Sequence, residues 1–69
     1  MIIYKDILKK LSDAGYNTNR LRKEKLLSEG TIQRLREGKS ITMDTLDVIC
    51  QLTNLQISDL VEFVGEKNE

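Results

Sequence analysis

Apolar residues recur every three or four positions along most of this chain, and that spacing predicts helices. The first is expected from about Ile3 to Ala14. Ile3, Ile7 and Leu11 with Tyr4 and Leu8 form one stripe, while Lys5, Asp6, Lys9, Lys10 and Asp13 stay outside. Gly15 then supplies the left-handed stop that helix ends favour. A second, short helix is expected from Asn17 or Thr18 to about Lys25, with Leu21 as its one clear core residue. Leu26 and Leu27 follow as an apolar link. Ser28 caps a third helix that ends at Glu37, with Glu29 placed to meet the helix dipole and Gly38 as terminator.

After a loop at Lys39-Ser40-Ile41, Thr42 caps a fourth helix. Leu46, Ile49, Cys50 and Thr53 form its inner side, and Asn54 can end it in the left-handed region. Ser58 and Asp59 open a short fifth helix carrying Leu60, Val61 and Val64. The expected fold class is therefore all-α, a compact five-helix bundle, with one domain over residues 1–64 and a polar tail over 65–69. The absence of proline agrees with this.

Composition removes several function classes. Cys50 is the single cysteine, so no internal disulfide forms, and it sits beside Ile49 on an apolar face where packing accounts for it. There is no histidine, and with one cysteine no transition-metal constellation is available. The four glycines are dispersed and make no phosphate-cradling loop. No catalytic residue, metal or cofactor is expected. The apolar start Met1-Ile2-Ile3-Tyr4 is too short for a secretory segment and no later run is long enough to span a membrane, so the expectation is a cytoplasmic protein.

Charge changes the picture more. The 11 basic and 11 acidic residues cancel overall but are segregated. Residues 1–40 hold ten basic and five acidic groups, a net of +5, and residues 41–69 hold one and six, a net of −5. A phosphate backbone responds to such a local field rather than to the net charge. Segregation also suits head-to-tail self-association.

The third helix divides into two faces at 100° per residue. Ile32 and Leu35 point inward, while Glu29, Gly30, Gln33, Arg34 and Glu37 share the outward arc. That outward set has the chemistry a major groove meets: Arg34 for guanine O6 and N7, Gln33 for adenine N6 and N7, Glu29 for cytosine N4. Gly30 offers no side chain and costs about 1 kcal/mol of helix propensity against alanine, which close approach to a base would offset. A solvated helix surface would show the same polar face. Arg20, Arg22, Lys23 and Lys25 form a basic cluster around Glu24, readable as a solvated face or as a flank to the groove.

The segment Thr18 to Leu35 resembles the helix-turn-helix of the Cro/phage-repressor (XRE-like) family, and the similarity covers nearly the whole chain. It is carried by Leu21-Arg22-Lys23, Ser28, Thr31-Ile32, Leu35-Arg36, Gly38, Thr42, Thr45-Leu46, Ile49-Cys50, Leu52, Asp59-Leu60 and Glu62 in their order and spacing. The resemblance implies five helices with the second and third reading double-stranded DNA, the recognition helix being about residues 29–37. It implies base contacts at Glu29, Gly30 and Arg34 with Gln33 beside them. Phosphate contacts are implied at Asn17, Thr18, Lys39, Ser40, Met43 and Asp44, largely through backbone N–H groups. It further implies a small bacterial transcriptional regulator, a repressor, with Leu55, Phe63 and Val64 near the C-terminus readable either as a dimer seam or as completion of the monomer core. The alternative is a protein-interaction module, antitoxin-like or anti-repressor, that keeps the fold and works through its acidic half. A nonspecific nucleic-acid binder is the third possibility.

Two positions depart from the family pattern. A small residue is usual where Arg22 stands, and a glycine where Leu26 stands. Either Leu26 adopts a left-handed conformation at a cost, or the turn is reshaped and the helix crossing with it.

Overall fold

The computed structural model describes residues 1–65. In chain order it contains strand β1 (Ile2–Tyr4), helices α1 (Ile7–Asp13), α2 (Thr18–Lys23), α3 (Glu29–Glu37), α4 (Met43–Thr53) and α5 (Ile57–Leu60), and strand β2 (Val61–Phe63). Five helices are present as expected, but the fold is not purely α. The polar tail, apart from Gly65, lies outside the described residues.

The two strands pair antiparallel, with Ile2 opposite Phe63, Ile3 opposite Glu62 and Tyr4 opposite Val61. This corrects the first helix, which begins at Ile7 and not at Ile3. Asp6 breaks the two apart at φ 46°, a left-handed conformation that a short polar side chain tolerates. It corrects the fifth helix too, which stops at Leu60 because Val61 is already extended. β-branched and aromatic residues at both ends, Ile2, Ile3 and Tyr4 at one and Val61 and Phe63 at the other, favour the pleated surface over a helix turn.

Ile7, Leu11, Leu21, Leu27, Ile32, Leu46, Ile49 and Leu60 form the buried core. Burying such side chains contributes roughly 1.5–3 kcal/mol each. Tyr4, Leu35, Cys50, Leu55 and Val61 pack around that core half-buried. Cys50 is thus a packing residue.

The helix ends follow from local chemistry. Ser28 Oγ accepts from Thr31 N–H (3.2 Å) and Thr42 Oγ1 accepts from Thr45 N–H (3.1 Å), as the caps of α3 and α4. α1, α2 and α3 each close on a pair of backbone bonds around one left-handed residue, the Schellman arrangement. Gly15 and Gly38 hold that place after α1 and α3. After α2 it is held by Lys25 at φ 55°, with Lys25 N–H on Arg22 O (3.1 Å) and Leu26 N–H on Leu21 O (2.9 Å). The strained residue is therefore Lys25 and not Leu26, whose half-buried side chain packs against the core.

Candidate nucleic-acid interface

The helix-turn-helix is assembled from α2, the turn at residues 24–28 and α3. Leu21, Leu27 and Ile32 are its buried anchors, one from each part. They leave the opposite side of α3 to solvent. Glu29, Gly30, Gln33, Arg34 and Glu37 are all exposed, as the helical spacing predicts.

These outward residues differ in what already holds them. Gln33 is engaged on both ends of its amide: Nε2 donates to Glu37 Oε2 (2.5 Å), and Oε1 accepts from Arg36 Nη1 (3.4 Å). The Gln33 amide and then the Lys39 ammonium hold the Glu37 carboxyl below its usual pKa. Glu29 forms an ion pair with Arg22 across the turn. Arg34 has no ion pair among the described residues, so its guanidinium is free to donate. Gly30 has nothing within 4 Å of where a Cβ would stand. Packing inside the protein thus gives no reason for glycine there.

The expected phosphate positions lie at helix starts and in the loop after α3. Asn17 caps α2, its Oδ1 accepting from Arg20 N–H (2.8 Å), and Thr18 beside it is half-buried. Lys39 uses its backbone N–H to close α3 on Arg34 O (2.8 Å), so only its ammonium can reach outward, where Glu37 lies at 3.2 Å. Ser40 is exposed. Met43 and Asp44 are the first two residues of α4, and the Thr42 cap serves Thr45. Their N–H groups have no acceptor among the described residues, the usual condition of a first helical turn.

The basic cluster of α2 also divides. Arg20 is pinned: Nε donates to Glu24 (2.9 Å), Nη1 donates to Gly15 O (3.0 Å), and the guanidinium lies 4.3 Å from the centre of the Tyr16 ring. Its bond to Glu24 raises its pKa above the usual arginine value. Lys23 and Lys25 are exposed without an ion pair among the described residues. Sequence reasoning missed both the Arg20–Tyr16 stack and the Arg22–Glu29 pair. The first has a legible signal, an aromatic four residues before a cation next to a helix start; the second joins two helices and has none.

Two capped helices joined by a tight apolar turn, with the second helix presenting a polar face, define a helix-turn-helix protein. The chain belongs to the Cro/C1-type HTH DNA-binding domain family, whose model matches residues 6–66. No curated protein and no solved structure gave a match. Among the described residues no helix is long and apolar enough to cross a membrane.

Proposed function

We propose that this protein is a sequence-specific transcriptional regulator, a repressor that occupies its operator by laying α3 in the major groove. The single observation behind this is the outward face of α3, where Arg34, without an ion pair among the described residues, stands beside Gly30 and an anchored Glu29. Arg34 donates to guanine O6 and N7, and Gln33 reads adenine once its amide leaves Glu37. Gly30 lets the helix approach a base pair closely. Phosphates are met by the Met43 and Asp44 N–H groups at the head of α4, by the Lys39 ammonium and Ser40 hydroxyl, and by Asn17 and Thr18 at the start of α2. Asp44 contributes its backbone N–H, because its carboxylate would repel a phosphate. Such a chain works where the DNA is, in the cytoplasm.

Two copies bind together through the C-terminal strand. Phe63 is 70% exposed, the highest value among the large apolar residues, and Val64 is exposed beside it. Met1 and Val64 exchange backbone bonds (3.0 and 2.8 Å), so by strand alternation the Phe63 N–H and C=O point away from β1. A second β2 can pair with that edge about a twofold axis at Phe63. Leu55 packs half-buried against the core. The Lys5 ammonium lies 3.8 Å from Glu62 and offsets the one carboxylate of the strand. A protein-interaction module is the second reading, favoured by the charged residues of positions 41–65, which are Asp44, Asp47, Asp59 and Glu62 without a cation.

Selection from a random duplex pool tests the first reading. We expect a twofold site with half-sites about 34–36 Å apart, one helical turn. Arg34→Ala should weaken binding by about 1–3 kcal/mol and relax preference at one base pair of each half-site. An equal loss on every sequence would remove Arg34 from base readout.

A further inference from the structure

Arg22 and Glu29 stand on different helices. Arg22 is in the last turn of α2 and Glu29 is the first residue of α3, and their side chains meet across the turn through Arg22 Nε and Glu29 Oε2. The start of the turn between them is held by the backbone bonds around left-handed Lys25. Both are open to solvent, 39% and 71% exposed, and a pair of that kind adds little to stability.

Its position gives it another use. A carboxylate at the head of a helix that enters a groove meets the negative field of the phosphates. Engaged by a guanidinium, it carries no net charge as a unit, and the charge-assisted bond restricts its rotamer. One carboxylate oxygen is then occupied, while the other remains available to accept from a base amino group, cytosine N4 or adenine N6.

We propose that Arg22 is a positioning residue for base selection, acting through Glu29 to fix the acceptor that α3 presents to one base pair. This rests on the major-groove reading above.

The test is enrichment of duplexes from a random pool by the full chain and by Arg22→Gln, Glu29→Gln, the double variant and Arg22→Lys. Glu29→Gln should cost roughly ten-fold of the preference at one base pair. Arg22→Gln should cost a similar factor at that same base pair, and the double variant no more than either. Arg22→Lys should restore part of the preference, because an ammonium can still neutralise Glu29. All variants should melt within about 3 °C of the parent, as expected for an exposed pair. Two results would overturn the proposal: Arg22→Gln weakening every duplex by one factor with the preference intact, or multiplicative losses in the double variant. If the parent chain enriches no sequence, the major-groove reading itself fails, which is distinguishable from failure of the pair alone.

Discussion

The helix-turn-helix and the two-stranded ribbon use exposure in opposite ways. On α3 the exposed residues are polar, and several are already held: Gln33 by Glu37 and Arg36, Glu29 by Arg22. On the ribbon and its flanks they are mostly apolar: Met1, Ile2, Ile3, Phe63 and Val64 are exposed, with Glu62 the one charged exception on β2. The polar face suits a hydrated, charged duplex, while the apolar edge suits a surface that excludes water. One small domain thus carries a polar exposed face and an apolar exposed edge over the same eight-residue core, the first proposed to meet nucleic acid and the second to meet a second copy.

The sharpest way to break that comparison is to delete apolar side chains in each region. Ile32 lies at 0% exposure under α3, and Ile32→Ala should cost about 2–5 kcal/mol in denaturant unfolding. Phe63→Ala removes a larger side chain yet should cost less than about 1 kcal/mol of monomer stability, because the fold does not bury it. It should instead shift mass from dimer to monomer in sedimentation. A large monomer destabilisation by Phe63→Ala would erase the distinction between the two regions.

Gly30 offers a second contrast, within α3 itself. An added Cβ meets nothing, so Gly30→Ala should raise stability by up to about 1 kcal/mol while weakening DNA binding. Gains in both quantities would show that no duplex approaches at this point. Lys25→Gly isolates the turn. Relieving a left-handed non-glycine residue should stabilise the protein by about 0.5–1 kcal/mol, measured as a shift in denaturant midpoint.

The smallest effect is electrostatic. Glu37 has a lowered folded pKa, so its contribution is present above the ordinary glutamate value and is lost as pH falls through the lowered one. Carboxyl NMR should therefore place its midpoint below that of unhindered glutamates. Gln33→Ala should move it upward.

Much of this is legible in the sequence because it is local. Ser28, Thr42, Gly15, Gly38 and Asn54 act on backbone groups within a few residues, and each sits at the helix end expected for it. The outward face of α3 follows from helical geometry and two inward anchors. The ribbon is different. Ile3 falls in step with Ile7 and Leu11, so a helical stripe and a strand are equally consistent with that segment. What decides between them is Phe63 opposite Ile2, a contact between residues far apart in the chain. Lys25 escapes for a related reason, since glycine was the expected signal of a left-handed turn and this turn has none. The Arg22–Glu29 pair depends on how two helices cross, which no local pattern states.

The central claim is that the outward face of α3 reads duplex DNA. Titration of the selected duplex and of a scrambled duplex of equal length, at several salt concentrations, tests it most directly. Affinity for both should fall with log salt, by a slope of about −0.9 per phosphate neutralised, and the selected duplex should stay at least about 10³-fold tighter near physiological salt. Equal affinity for the two duplexes, or no binding to either at low salt, would contradict it.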